Sequence, residues 1–258
     1  MATMLTESPN TPFWGPPTAQ ANFCEEDYVV TRYIAEFINT MTNLTYILYA
    51  LYGIHRLRQK ANSNILRALP YWGLMGVGIC SGIFHTSLKY HTQMMDDLSM
   101  LLTTTPILHR VLTVGVERGN SILVAILLGS ILTTIVIFHV ATDELLLHSL
   151  FFVGSIAVIA IFHLGYFVWI VDRWACGFLK EVRAAVGLPW AFLFELHGWW
   201  HIFTGMGAYI FIAAIDHLTS NDSDEEIEKA IAWPGPWASR SSFAGKFEIG
   251  PQAGLKRE

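Results

Sequence analysis

Residues 121–142 read SILVAILLGSILTTIVIFHVAT, with no Asp, Glu, Lys or Arg anywhere in the run. A helix rises 1.5 Å per residue, so about 20 such residues cross a hydrocarbon core of roughly 30 Å. Two further runs are as clean: Ala68 to Leu88 and Leu145 to Val171. Three more are of membrane length but carry ionisable groups. Ile34 to Ile54 holds Glu36, Gln93 to Val116 holds Asp96, Asp97 and Arg110, and Gly187 to Ile215 holds Glu195. The whole chain of 258 residues is 53% hydrophobic, 14% charged and has a mean hydropathy of +0.41. A soluble helical bundle would need a polar face at helical period on most helices, and these runs have none. The expected fold is all-α, a polytopic transmembrane helix bundle.

The flanks divide the chain into three parts: a lumenal N-terminal segment over 1–33, a membrane domain over 34–217 and a polar tail over 218–258. MATMLTESPNTPFWGPPTAQ at the start lacks the basic and apolar regions of a cleaved signal peptide, so the first span is expected to direct insertion. Glu7, Glu25, Glu26 and Asp27 outnumber Arg32 before that span, while Arg56, Arg58, Lys60 and Arg67 follow it. The positive-inside rule then places the loop after the first span in the cytosol and the N-terminus in a lumen or outside. The tail is acidic, with Asp222, Asp224, Glu225, Glu226 and Glu228 ahead of WPGPW at 233–237. A net charge of -5 and the absence of Walker or dinucleotide fingerprints give no reason to expect nucleic acid.

Chemistry enters through histidine. His55, His91, His148 and His217 fall near span ends, and His109, His139 and His163 read as satisfied core or interfacial rings. The other three stand apart. ELHGWWHIF places His197 and His201 four residues apart on one helix face, and SGIFHTSLKY places His85 near the end of the second run, one turn after Ser81. Asp96 follows at the start of the third. Polar groups buried in lipid are costly unless paired or coordinated, so intramembrane ionisable residues point to function. Three neutral imidazoles leave a tetrahedral zinc ion one open position, the pattern of a catalytic site. A haem needs axial ligands on opposite faces, which one pair on a single helix does not supply, and the zincin motif His-Glu-x-x-His is absent.

The stretches WGPPTAQANFCEEDYVVTRYIAEFINTMTNLTYILYALYG, SGIFHTSLKYHTQMMDDLSM and ELHGWWHIFTGMGAYIF resemble the alkaline ceramidases, and in particular their fungal members. The likeness implies a seven-helix membrane amidohydrolase that splits a ceramide-type lipid into a sphingoid base and a fatty acid, in the endoplasmic reticulum or Golgi. It implies zinc ligation by His85, His197 and His201, with Ser81 over the substrate carbonyl and Asp96 at the metal. It also implies a calcium loop formed by Asn22, Phe23 through its carbonyl, Glu25, Asp27 and Glu36. Composition alone reads that loop as a solvated acidic segment, and Asn22 stands where many relatives carry an acid. The cysteines Cys24, Cys80 and Cys176 define no disulfide framework by count. The resemblance implies a Cys24–Cys176 bridge.

One departure concerns topology. The family has seven spans and six are countable here. The fifth, 145–171, is 27 residues and about 40 Å as a helix, too long for one untilted crossing and too short for two. It reads as the start of one family helix, SLFFVGSIAVIA, joined to the end of the next, IFHLGYFVWIVD, as if a segment were deleted near Ala160. Six crossings would bring the last helix in from the wrong side and displace the His197–His201 pair, leaving little or no activity. Arg173, Lys180 and Arg183 place the loop before that helix in the cytosol, whereas a Cys24–Cys176 bridge places it in the lumen. The alternatives are a membrane receptor of the adiponectin-receptor kind and an inactive truncated isoform.

Overall fold

The computed structural model describes residues 11–60, 63–113, 115–143 and 160–219. Among these, every regular element is helical. Phe37–Thr42 (α1) and Leu44–Arg58 (α2) cover the first expected run, broken at Asn43, and are followed by Ile65–Ser87 (α3), Tyr90–Leu112 (α4) and Arg118–Thr142 (α5). After the undescribed residues come Ala160–Trp174 (α6), Cys176–Val186 (α7), a 3-10 turn at Trp190–Phe194 and Leu196–Thr219 (α8). The expected first half of the fifth run, SLFFVGSIAVI, lies outside the described residues, as does the tail from residue 220 onward.

α5 and α8 are both long and apolar enough to cross a membrane. α3 and α4, at 23 residues each, are also of crossing length, but their sequences carry the polar groups that the core requires. α2, α3 and α8 pack around Tyr46, Tyr49, Tyr71, Leu74 and Tyr209.

Connections fix which end each helix occupies. At one end, called here the histidine end, α3 stops at Leu88, whose φ of 51° turns the chain back. Its carbonyl accepts the amides of Thr18 and Ala19, and Ala35 and Glu36 donate to the carbonyls of Thr86 and His85. The N-terminal segment is therefore strapped across this end. At the other end Arg67 of α3 makes a bidentate pair with Asp216 of α8, at 2.7 Å for both bonds. Arg110 of α4 lies 3.6 Å from the same carboxylate. Removing one partner of a buried pair like this strands a charge and costs about 3–5 kcal/mol.

Two expectations are corrected. The last run was expected to be helical from Gly187, but the helix starts only at Leu196. Pro189 lacks the N–H a helix interior needs, and the chain from Gly187 to Glu195 forms a turn over the end of the bundle instead. The second correction concerns the side on which α8 begins. Asp143, after α5, meets Gln93 at the histidine end, and Asp172 near the end of α6 accepts from the Cys24 amide there. Gly165 packs against Trp200 and Thr204, so α6 climbs toward that end antiparallel to α8. α8 thus starts at the histidine end, and its histidines are not displaced. Arg183 is not a free cation in the fold: it pairs with Glu195 at 3.1 Å and donates to the Cys24 carbonyl at 2.7 Å.

Candidate metal centre

His85, near the end of α3, and His197 and His201, in the first turns of α8, come together as their spacing required. Each offers a ring nitrogen within 4.8 Å of the others. Their exposures are 1%, 3% and 3%, so the cluster is closed to bulk water. Among the described residues it is the one group of three or more His, Cys, Asp or Glu side chains so gathered.

The Nδ1 atoms of the three rings are held differently. His85 Nδ1 makes a short hydrogen bond to Glu36 Oε2. His201 Nδ1 lies 2.9 Å from Thr42 Oγ1. His197 Nδ1 is buried with no hydrogen-bond partner among the described residues, and its ring stacks on Phe23 with centroids 3.6 Å apart. Three imidazoles packed ring against ring, one with an orphaned buried nitrogen, form an expensive arrangement without a cation and an apt one with it. Nitrogen donors of this kind fit zinc.

Ser81 and Asp96 come together as well: the serine hydroxyl donates to the Asp96 carboxylate, and Asp96 Oδ1 is buried without a hydrogen-bond partner. Asp97 points elsewhere, pairing with His139 Nε2 at 2.9 Å, which makes His139 the satisfied ring that the sequence suggested.

The acidic loop is more divided than the sequence implied. Both Glu25 oxygens accept main-chain amides at the start of α1, from Ile38 at 2.7 Å and Asn39 at 2.8 Å. Burial pushes Glu25 up to about 7, against the pull of those two amides and of Arg183. Burial also raises Asp27, whose Oδ2 accepts from Asn22 at 3.4 Å while its Oδ1 is buried with no hydrogen-bond partner. Glu36 Oε1 accepts the Phe23 amide, so this one carboxylate touches both the loop and His85. Oxygen donors are plentiful, as calcium requires, though Glu25 faces α1.

Cys24 is fixed through each of its groups. Asp172 takes its amide at 3.3 Å, Arg183 its carbonyl, and Cys176 its sulfur in a disulfide, as the resemblance implied. Asp172 and Thr42 gave no signal in the sequence, since each is an ordinary residue whose partner here lies far along the chain.

The fold and cluster define a helical protein built around a three-histidine site with an adjacent Ser–Asp pair. The sequence model of the Ceramidase family matches residues 15–164 and 154–242, more than half of the chain. The alkaline ceramidase YPC1 of Saccharomyces cerevisiae is 32% identical over 248 aligned positions, covering 80% of this chain and 78% of the relative. Alkaline ceramidase 3 of Mus musculus is 30% identical, over 78% of this chain and 84% of the relative. The chain belongs to the ceramidase family of amide-bond hydrolases. Since 80% of 258 residues is about 206, about 42 of the 248 positions aligned with the yeast relative have no residue here. The two matched stretches of the family model meet at 154–164, on either side of Ala160.

Proposed function

We propose that this chain is a membrane-embedded, zinc-dependent ceramidase that hydrolyses the amide of a dihydro- or phytoceramide to a sphingoid base and a free fatty acid. The observation that carries the reading is the buried His85–His197–His201 cluster in a member of this family. A zinc ion held by these rings would supply Lewis acidity toward the amide carbonyl and the attacking water. Asp96 takes a proton from that water and delivers it to the leaving amine, which cannot depart as an anion. Ser81 donates to the carbonyl oxygen as negative charge develops on it, a contact worth about 2.7–4 kcal/mol where single donors of this type have been removed. The balance is amide plus water to carboxylic acid plus amine, with no redox partner. The Asn22, Phe23, Glu25, Asp27 and Glu36 segment is proposed to bind calcium and, through Glu36, to hold His85 in place. The N-terminus faces the lumen of the endoplasmic reticulum or Golgi.

The test is to measure bound zinc and release of free sphingoid base on one purified sample of the full chain. Zinc near one per chain with amide hydrolysis supports the reading. Turnover that survives complete removal of zinc overturns it.

A second reading is favoured by the roughly 42 positions of the yeast alignment that have no residue here, together with the break of the family match at 154–164: a truncated isoform with little or no activity. In this reading the cluster still forms, but the bundle is one crossing short of the family's seven. A helix-length insertion near Ala160 would then raise hydrolysis from background. Equal turnover with and without the insertion discards this reading.

A further inference from the structure

The three histidines differ in what holds them, and His201 is held by Thr42, a residue outside the three-histidine cluster. Thr42 lies in the last turn of α1, with its Oγ1 2.9 Å from His201 Nδ1. A hydroxyl has one proton to give. Here it goes back into the helix, to the Ile38 carbonyl at 2.8 Å, with the Asn39 carbonyl at 3.1 Å. Toward His201 the hydroxyl can therefore only accept, which requires the proton of the neutral ring to be on Nδ1. The lone pair is then on Nε2, free to meet the cluster. The contact depends on close approach of the two helices, for which α8 uses a glycine. A Cβ at Gly198 would come 2.8 Å from Ile38 Cγ2 and 3.3 Å from Thr42 Cγ2, so a side chain there would push α1 away from His201.

We propose that Thr42 is a positioning residue: its hydroxyl oxygen selects the Nδ1–H tautomer of His201 and aims Nε2 into the metal centre. The proposal rests on the reading that the three histidines hold zinc. It separates two ways of orienting a metal-binding imidazole within one site, a carboxylate for His85 and a helix-bound hydroxyl for His201. Hydrogen-bond partners of this kind set both the tautomer and the angle of the ring, and losing one weakens metal binding by about 10–100-fold. The loss here belongs at the low end, because the Asn39 carbonyl also accepts from the His201 ring.

Zinc affinity of the full-length purified chain, measured by chelator competition, tests this on three samples: the parent, Thr42→Val and Thr42→Ser. Valine keeps the shape and removes the acceptor, while serine keeps the hydroxyl. The expected result is about tenfold weaker zinc binding in Thr42→Val, near-parental binding in Thr42→Ser, and an unchanged melting temperature for Thr42→Val after the metal is stripped. Parental zinc affinity in Thr42→Val, or equal loss in both variants, overturns the proposal and leaves the metal reading intact. A parent chain that holds no zinc overturns the metal reading and the proposal together.

Discussion

α5 and α8 are close in length and both are apolar enough to cross a membrane, yet the protein buries them to different degrees. Over its most apolar stretch α5 buries none of its residues in the protein, whereas α8 buries 56%. The one buried residue of α5 is His139, tied to Asp97, and polar contacts near its ends attach it to α4: Tyr90 to the Val140 carbonyl and His109 to that of Ser121. Its middle presents Ile126, Leu127 and Ile131 outward. α8 is less apolar because it carries two histidines, and it is buried because those rings need partners. Hydropathy therefore ranks helices by how well lipid tolerates them, and in this chain that order runs opposite to chemical importance.

The contrast predicts a steep gradient of mutational effect. At its top, His85→Ala, His197→Ala and His201→Ala are each expected to bring hydrolysis to background and to strip the zinc, read by metal analysis and by sphingoid-base release. Retained metal with retained turnover in any one of them would place the centre elsewhere. Next, Asp96→Asn should keep the fold and the metal but slow turnover by about 10²–10⁴-fold, since the amide matches the carboxylate in size and cannot carry the proton. A rate equal to the parent's would remove Asp96 from the reaction.

A smaller effect is expected at the acidic loop. Calcium chelation should lower activity, with Glu25→Gln or Glu36→Gln reproducing the loss. The Glu36 change should also weaken zinc by about 10–100-fold, because Glu36 bonds His85 directly. Indifference to chelator and to both substitutions would reduce the segment to a structural strap. The smallest effect belongs to the exposed middle of α5. Ile126→Ala should change stability by less than about 0.5 kcal/mol, while His139→Ala, which removes the buried ring paired with Asp97, should cost several times that. Similar losses in a detergent melting experiment would show that α5 is packed by protein after all.

The sequence made some of this legible and hid the rest for identifiable reasons. α5 needed only a run without charge. The histidine cluster was readable because His197 and His201 lie on one helix and His85 is a polar residue in an apolar run. The start of α8 was misplaced because residues 187–194 carry no charge, and Pro189 was the one local sign that the helix had not begun. The side on which α8 begins stayed open in the sequence: the implied Cys24–Cys176 bridge pointed to the lumen, while Arg173 and Lys180 pointed to the cytosol together with Arg183. In the fold Glu195 and the Cys24 carbonyl absorb it, and neither partner can be paired with it from spacing alone. Thr42 and Asp172 were invisible for the same reason: each acts on a residue more than a hundred positions away.

The grip on Cys24 has a kinetic side. Asp172 and Arg183 hold the main chain of that residue through bonds that do not involve sulfur, so Cys24 stays beside Cys176 whether or not the two are joined. After reduction the thiols would remain at high effective concentration rather than separating into a long open loop, and closing a loop of 152 residues by diffusion is the entropic cost thereby avoided. Thiol–disulfide exchange at this site should accordingly be fast and intramolecular once an oxidant is present. The covalent bond then acts as a lock on a strap already in position, and chains made under reducing conditions should regain it on exposure to an oxidising lumen without first unfolding.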